Sequence, residues 1–318
     1  MNKSGLIISL DLEMRWGILE SYTEFDSYKA NILGVEDAVV EILNLFDKYR
    51  IHATWATVGA LLCDCLEEFQ QYSPKKKPNF NNDKFSSYAY HDEIKYEEEQ
   101  FFNYKIINNI LDANNQEFAS HSFSHLFVQE GGVSKEDFDS DLKSFARVYS
   151  DKYDSKVNSF VFPRNQVNYL DILKKNSYKV FRGNKREWFY HANTKLSKLA
   201  RFYNLHFGSV ELGTTNAFYD EGIVNIPGTI FLRPYDNKIM SFIRVRRIKK
   251  VLKYANNNNK LVHLWWHPHN FGINIERNIN MLAKVLDYAN KIGIESFNMR
   301  EMGQALKSKV RPNFRTAT

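Results

Sequence analysis

The sequence has little cysteine, proline and glycine: 2, 7 and 14 residues in a chain of 318. So few cysteines exclude a disulfide scaffold, and the single residue between Cys63 and Cys65 is a poor spacing for a metal site. We interpret both as reduced thiols on an apolar helix. Because proline and glycine are scarce, the chain has few candidate linkers, and we expect a single domain over residues 1–318.

Long hydrophobic runs are also absent. The apolar run at the N-terminus is interrupted by Asp11 and is too short for a signal peptide or a membrane span, so we expect a cytoplasmic protein. Hydrophobic residues nevertheless make up 43% of the sequence, which is enough for a substantial core.

The charge is mildly positive, with a formal net charge of +6 and a pI near 9.0. No recognised nucleic-acid motif accompanies this charge, so we expect no nucleic-acid partner. The excess favours an anionic partner, such as a phosphate-bearing substrate or a lipid head group. Residues 244–253 are rich in Lys and Arg and contain no acid. We interpret them as the solvated face of an outer helix, with phosphate binding or peripheral membrane contact as the alternative.

Apolar runs typical of buried strands alternate with amphipathic segments along the chain. The runs "LIISLDL", "IHATWATVG" and "LVHLWWHPHNFG" predict strands, whereas apolar residues at helical spacing predict a helix over 35–49. Ser134, followed by acids, predicts the start of another helix. Residues 73–95 are polar and predict a surface insertion. The alternation is typical of parallel strands in an α/β fold, either open or closed into a barrel.

Two short stretches carry acids and histidines that we expect to meet in space. "LIISLDLEMRWG" places Asp11 and Glu13 at the end of the first strand, and "EFASHSFSHLFVQE" places His121 and His125 after a later one. Two imidazoles and a carboxylate suit Zn²⁺, Fe²⁺, Co²⁺ or Mn²⁺. Either acid can supply the carboxylate, and both imidazoles reach one ion if their loop enters a helical turn.

These stretches resemble the polysaccharide deacetylases of the NodB-homology type, carbohydrate esterase family four. "SLDLE" resembles the family's first motif and "HSFSH" matches the second, while "FVFPRNQ" and "LVHLWWHPHNFG" lie where the third and last motifs are expected. The resemblance extends from about residue 5 to 300 and covers 73–95 and 190–260 poorly. It implies an irregular (β/α) barrel of about seven parallel strands.

The resemblance also implies roles for individual residues. Asp11 is the expected general base, with Arg164 beside it, and His267 is the expected catalytic acid. The first-motif acids are one residue apart rather than adjacent, so an exchange of roles between Asp11 and Glu13 stays open. The family's fourth motif, an acid and a Trp that tune the catalytic histidine, is not clearly present; Glu187 and Trp188 are the candidates to replace it.

One divalent metal ion is the expected cofactor, with zinc as the first choice and Co, Mn or Fe as alternatives. Its expected ligands are Glu13, His121 and His125. The candidates for substrate contact are Trp16, Arg182, Trp266 and His269. Trp265 and Trp266 alternate across their strand, so we expect one to line the acetyl pocket and the other to pack in the core.

We therefore expect a hydrolase of non-peptide C–N bonds that removes an N-acetyl group from an acetamido sugar in glycan or surface polysaccharide biosynthesis. The expected cytoplasmic location favours a nucleotide-linked or lipid-linked sugar. One alternative is a metal-independent hydrolase of another non-peptide C–N bond. The other is a catalytically inactive relative that binds glycans.

Overall fold

The computed structural model describes residues 3–310 except 186, 188–193, 198, 201–202 and 204–207. Within these residues, ten strands form one sheet. The strands are β1 (Gly5–Leu12), β2 (Ala53–Thr57), β3 (Gln116–Ser120), β4 (Ser159–Val161), β5 (Val180–Arg182), β6 (Phe218–Asp220), β7 (Ile223–Asn225), β8 (Ile230–Phe231), β9 (Leu261–Trp266) and β10 (Ser296–Phe297).

Helices connect most of these strands, and short 3-10 turns supplement them. In chain order the α-helices described are α1 (Phe25–Leu33), α2 (Val35–Tyr49), α3 (Leu66–Tyr72), α4 (His91–Tyr96), α5 (Tyr104–Asp112), α6 (Lys135–Tyr153), α7 (Leu170–Lys175), α8 (Lys238–Asn257), α9 (Ile275–Lys291) and α10 (Met299–Val310). Ser134 caps α6 as predicted, because its hydroxyl accepts from the backbone N–H of Asp137 and the Asp137 carboxylate accepts from the backbone N–H of Ser134.

The sheet is parallel apart from one hairpin. The strands follow the order β6-β7-β5-β4-β3-β2-β1-β9-β8, with β10 also paired to β1, and only β6 and β7 are antiparallel. An isolated bridge between Thr215 and Leu261 brings the chain before β6 back to the start of β9. The sheet therefore curls round into an irregular (β/α) barrel, the architecture that the sequence predicts.

β1 occupies the middle of the sheet and is buried along its whole length. Leu10 belongs to the main apolar cluster. The same cluster contains Phe46 of α2, whose ring packs against those of Trp55 and Trp266. Successive side chains of a strand point to opposite faces, so Asp11 lies on the other face, toward the inside of the barrel. At the carboxyl end of β1 the alternation thus places Leu10 against the helices and Ser9 and Asp11 inside the barrel.

Residues 73–95 form short 3-10 turns and the start of α4 rather than strands. The ring of Phe85 contacts Phe127 at 5.9 Å, and Tyr88 stacks on Phe69 at 5.5 Å. The segment therefore packs against the loop that follows β3, beside the open end of the barrel.

The cysteines lie in a turn rather than on a helix, contrary to our interpretation. Cys63 ends one 3-10 turn and Cys65 precedes α3, and both thiols are free. The carboxylate of Glu68 accepts from the backbone N–H of Asp64 between them, which holds this turn outside the helix.

Among the described residues, no helix is long and apolar enough to cross a membrane.

Candidate active site

Most of the expected site residues lie at the carboxyl-end edge of the sheet. Asp11 belongs to β1 and Glu13 follows it, while His121 follows β3 and His267 follows β9. These strands are parallel, so their carboxyl ends open on the same side of the barrel. Glu13 and His121, 108 positions apart in the sequence, are thereby brought into contact.

Glu13 is buried between two imidazoles. Its Oε1 lies 2.9 Å from Nε2 of His121 and 3.2 Å from Nε2 of His125. The carbonyl oxygen of Val161 lies 2.8 Å from Nδ1 of His121 and accepts its hydrogen, so a lone pair on Nε2 faces Glu13. Nδ1 of His125 is buried and has no partner among the described residues. Electron-pair donors of all three side chains therefore face one point.

The two histidines converge without the helical turn that we expected. Their loop has no helix, and Ser122 and His125 both have positive φ, 62° and 56°. Asp141 holds this conformation by accepting from the backbone N–H groups of Phe123 (2.7 Å) and Ser124 (3.0 Å). Such left-handed residues cost roughly 1–2 kcal/mol each, so the loop is shaped at the expense of local stability.

Opposing influences act on the ionisation of Glu13. Burial acts to raise its pKa, but attraction to His267 and His125 and the close approach of the imidazole nitrogens of His121 and His125 outweigh burial. The pKa is consequently held well below its ordinary value, and the side chain is a carboxylate.

Asp11 is buried in a different environment from that of Glu13. Both of its oxygens accept from Arg182, with Nη1–Oδ1 and Nη2–Oδ2 distances of 2.6 Å. Burial acts to raise the pKa of Asp11, but the Arg182 guanidinium outweighs it and holds the pKa below its usual value. Nη2 of Arg182 also donates to Asn165 at 3.0 Å.

The structure corrects the expected positions of two arginines. Arg164 lies away from Asp11, with its guanidinium bonded to Glu20 and stacked 4.3 Å from the centre of the Phe127 ring. Its φ of 52° turns it outward at the end of β4, so that Asn165 of the same turn faces the site instead. Arg182, expected to contact substrate, is instead occupied by Asp11.

A buried polar chain continues behind Arg182. Ser9 accepts from Nη1 of Arg182 at 3.0 Å and its hydroxyl lies 2.9 Å from Nε2 of His263. Nδ1 of His263 lies 3.1 Å from the carbonyl oxygen of Ile226, and burial lowers the pKa of His263 to about 3. A neutral imidazole therefore accepts from Ser9 and fixes the far side of the arginine.

His267 borders both carboxylates and reaches solvent. Its Nε2 lies 3.6 Å from Oε1 of Glu13 and 3.9 Å from Oδ2 of Asp11, and a quarter of its side chain is exposed. On its other side, Nδ2 of Asn270 lies 3.4 Å from Nδ1, and the hydroxyl of Tyr28 donates to Oδ1 of Asn270. Nε2 is therefore the nitrogen that faces both acids.

His269 and Glu187 do not occupy the expected positions. His269 is buried and stacks on the ring of His267 at 5.2 Å, and burial lowers its pKa to about 3. It supports that ring rather than lining open space. Glu187 pairs with Lys185 at 3.3 Å and has no described contact with His267. Trp188 lies outside the described residues.

The tryptophans are distributed by strand alternation. Trp265 pairs in register with Ser9, and its ring lies 4.4 Å from the Arg182 guanidinium and beside His267. Trp266, expected to bind substrate, is fully buried in the core instead. Trp16 is buried as well and donates to the carbonyl oxygen of Phe101. Neither can contact a ligand.

Sequence reasoning missed Ser9, Asn165 and Asn270. Ser9 had a readable signal, since it lies two positions before Asp11 and shares its face of β1. Asn165 and Asn270 had none, because each reaches the site through a turn whose conformation the sequence does not display.

The residues present fit a divalent cation. Glu13, His121 and His125 offer one oxygen and two nitrogen ligands, and the hydrogen bond to Val161 leaves the lone pair of His121 directed at the carboxylate. Two imidazole lone pairs that face a carboxylate oxygen repel it, and a positive ion bound between the three atoms removes this repulsion. A set of two His and one carboxylate leaves coordination positions open, as catalytic sites require.

No protein-family model matches the sequence, and the search of curated proteins found no match. Solved structures do match. A predicted polysaccharide deacetylase from Mycobacterium smegmatis has a TM-score of 0.60 at 12% identity, over 99% of this chain and 95% of that chain. For the PuuE allantoinase the TM-score is 0.58 at 10% identity, over 96% and 92%. A GH57-type branching enzyme from Pyrococcus horikoshii gives 0.53 at 11% identity, over 97% and 71%.

At these identities the likenesses establish the fold. The chain has the irregular (β/α) barrel of the NodB-type polysaccharide deacetylases, so the resemblance carried by the sequence motifs is confirmed at the level of the fold. Function has to be argued from the residues of the site.

Proposed function

We propose that the chain is a metal-dependent hydrolase that removes an N-acetyl group from an acetamido sugar. The observation that supports this proposal is a buried cluster of one carboxylate and two imidazoles beside a second carboxylate that an arginine keeps ionised. Such a pairing combines a metal site with a general base, the arrangement that amide hydrolysis at neutral pH requires. When bound, a divalent ion held by Glu13, His121 and His125 supplies a Lewis acid for the amide carbonyl and for the attacking water.

Asp11 is the proposed base. Arg182 binds both of its oxygens, so the carboxylate stays ionised and cannot rotate away from the cleft. Asp11 takes a proton from water as the water oxygen bonds to the acetyl carbon. The backing of Arg182 by Ser9 and Asn165 keeps the pair in place.

His267 is the proposed acid. In its imidazolium form it carries a proton on Nε2, the nitrogen that faces the acids, and it gives this proton to the departing amine nitrogen and becomes a neutral imidazole. The C–N bond breaks as this nitrogen takes the proton. The proton that Asp11 received can replace it, since the two side chains lie 3.9 Å apart.

An apolar wall beside His267 is suited to an acetyl methyl group. The ring of Phe231 lies 5.6 Å from His267 and 4.7 Å from Trp265, and the Trp265 ring lies beside the Arg182 guanidinium that binds Asp11. We further propose that the sugar belongs to glycan or surface polysaccharide biosynthesis and is nucleotide-linked or lipid-linked. The net charge of +6 supports a phosphate-bearing substrate.

A second candidate is metal-independent hydrolysis of another non-peptide C–N bond. Two observations favour it: the fold is shared with an allantoinase, and His267 contacts the amide of Asn270 where a carboxylate was expected. Metal dependence separates the two candidates.

The experiment measures acetate release from UDP-N-acetylglucosamine and from chitin oligosaccharides, with and without added Zn²⁺, Co²⁺ or Mn²⁺. We expect metal-dependent release that Asp11→Asn abolishes while the metal content stays unchanged. Arg164→Gln is the matched control and should retain activity, because Arg164 does not touch Asp11. Activity that persists in a metal-free protein would favour the second candidate, and metal binding without any hydrolysis would indicate a glycan-binding protein.

A further inference from the structure

A groove between α8 and α9 lies outside the candidate active site. We refer to it as the α8–α9 groove; its volume is about 470 Å³. Its lining includes Tyr235, Lys238, Ile239, Phe242, Arg277 and Lys284. The lining contains three cations and no acid, so the groove combines apolar surface with positive charge only.

Two hydrophobic side chains at this groove are largely exposed. Ile239 is 71% exposed and Phe242 is 64% exposed, and at three positions apart they share one face of α8. Below them, Val245 and Met281 are buried and continue the apolar surface. A contiguous apolar strip with exposed rings at its edge is typical of an interaction site rather than of ordinary surface.

The cations are arranged around this strip. Lys238, Arg277 and Lys284 are exposed at the groove, and Arg246 and Lys250 extend the exposed stripe of α8. The exposed acids of α9, Glu276 and Asp287, lie outside the lining. The hydrophobic tip of α8 is therefore bordered by positive charge.

The interpretation of residues 244–253 as the solvated face of an outer helix holds for only some of their basic side chains. Arg244 is buried and pairs with Asp236, and Arg247 is buried against the backbone of Gly208. Arg246, Lys250 and Lys253 of the same segment are exposed, so the basic surface is one stripe of α8 rather than the whole segment.

The groove lies at the same end of the barrel as the active site. α8 begins shortly after Phe231, whose ring contacts His267, and α9 begins shortly after the turn that carries His269. In a parallel α/β fold, the helix after each strand starts at the carboxyl end of that strand. The first turns of both helices therefore lie near the mouth of the cleft.

We propose that the α8–α9 groove docks on an anionic phospholipid bilayer. Phe242 and Ile239 enter the interfacial region, and the surrounding Lys and Arg side chains contact lipid phosphates. The charge of the groove is complementary to an anionic surface, and exposed aromatic and aliphatic side chains flanked by cations are typical of interfacial binding. Docking there places the mouth of the cleft beside the membrane. This inference goes beyond the proposed function and does not depend on it, because binding needs no catalysis.

The test is sedimentation of the full, metal-loaded protein with vesicles. We expect it to bind vesicles of phosphatidylcholine mixed with phosphatidylglycerol and not vesicles of phosphatidylcholine alone. Lys238→Glu combined with Lys284→Glu should weaken binding by about tenfold or more, since each cation near an anionic surface contributes to partitioning. Lys75→Glu combined with Lys76→Glu is the matched control, because it makes the same charge change at exposed residues elsewhere.

The apolar contribution is tested separately with two exposed aromatic residues. Phe242→Ala should weaken binding to anionic vesicles several-fold. Tyr96→Ala should not, because this residue, which is 77% exposed, is not part of the α8–α9 groove. In Phe242→Trp the indole fluorescence should shift to the blue when anionic vesicles are added.

Three results would overturn the proposal. The first is no binding to anionic vesicles, and the second is equal loss of binding in the control pair Lys75→Glu and Lys76→Glu. The third is binding of poly-glutamate that matches vesicle binding and is lost in the same groove variants, which would assign the groove to an acidic protein segment instead. Each result leaves the hydrolase proposal unaffected, since acetate release from a soluble substrate is measured separately.

Discussion

Two carboxylates at the end of β1 have different nearest partners, although one residue separates them and both lie near His267. Glu13 faces two imidazoles, whose nitrogens are neutral ligands, and Asp11 faces the guanidinium of Arg182, which is a permanent cation. Both are buried, and the pKa of each is held below its ordinary value. The difference teaches that burial alone does not assign a role to a carboxylate. The partner of the carboxylate assigns it, because imidazoles can bind a metal ion together with the carboxylate, whereas a guanidinium is itself a cation and excludes one.

Removal of the Asp11 carboxylate is expected to have the largest effect. Asp11→Asn should lower the acetate-release rate by a factor of about 10²–10⁴, the usual contribution of a general base. Bound metal should remain, because Asn does not disturb Glu13 or the imidazoles. Glu13→Gln should lose both the activity and the metal. If Glu13→Gln kept the metal and Asp11→Asn lost it, the two roles would be exchanged.

The two arginines provide the next comparison. Arg182→Met should destabilise the protein by about 3–5 kcal/mol, because Asp11 is left buried and charged without its partner. Arg164→Met should cost at most about 1 kcal/mol, because the Arg164 side chain is 37% exposed and solvent screens its ion pair. Urea unfolding followed by fluorescence measures both. Equal losses would show that Arg182 is not the cation on which the Asp11 region depends.

Metal addition should stabilise the cluster of Glu13, His121 and His125 specifically. At a metal concentration a hundred times Kd, the unfolding free energy of the native chain should rise by about 2.7 kcal/mol. His125→Ala should show no such rise, whereas His91→Ala, a change at an exposed histidine, should show all of it. Thermal unfolding with and without metal provides the measurement. A rise of equal size in His125→Ala would place the ion elsewhere.

Acid should weaken the surroundings of Asp11 through His263, with the smallest effect of the four when the pH is lowered by one unit. The folded pKa of His263 is about 3, below the ordinary 6.5, so between these values the unfolded chain binds a proton that the folded chain does not. Stability therefore falls as pH falls through this window, by about 1.4 kcal/mol per pH unit for this residue. His263→Gln should flatten the slope of unfolding free energy against pH by about one proton. An unchanged slope would mean that His263 is already charged in the folded protein.

The cluster of Glu13, His121 and His125 could be predicted from the sequence to a greater extent than the pairing of Asp11 with Arg182. Carboxyl ends of parallel strands meet at one edge, so an acid after β1 and histidines after β3 were expected to converge, and Glu13 and His121 do. The path of the loop was not predictable. It depends on positive φ at Ser122 and His125 and on the distant carboxylate of Asp141, and none of these has a local signal.

The partner of Asp11 was predicted wrongly for a physical reason. The sequence places Arg164 directly after β4, but its turn directs it outward, and Arg182 reaches Asp11 across the inside of the barrel from β5. Which of two arginines points inward depends on strand register and turn conformation, which a single sequence does not fix. The same register places Trp265 beside Ser9 and sends Trp266 into the core. Strand alternation predicted that Trp265 and Trp266 would lie on opposite faces of the sheet, but not which of them would face the site.

The most direct test is the position of a bound ion. Anomalous diffraction from crystals grown with Zn²⁺ should show one strong peak at roughly 2.0–2.2 Å from Oε1 of Glu13 and from Nε2 of His121 and His125. The Asp11 carboxylate should remain paired with Arg182. A peak ligated by Asp11 in place of Glu13, or no peak at these side chains under conditions in which the protein releases acetate, would contradict the account.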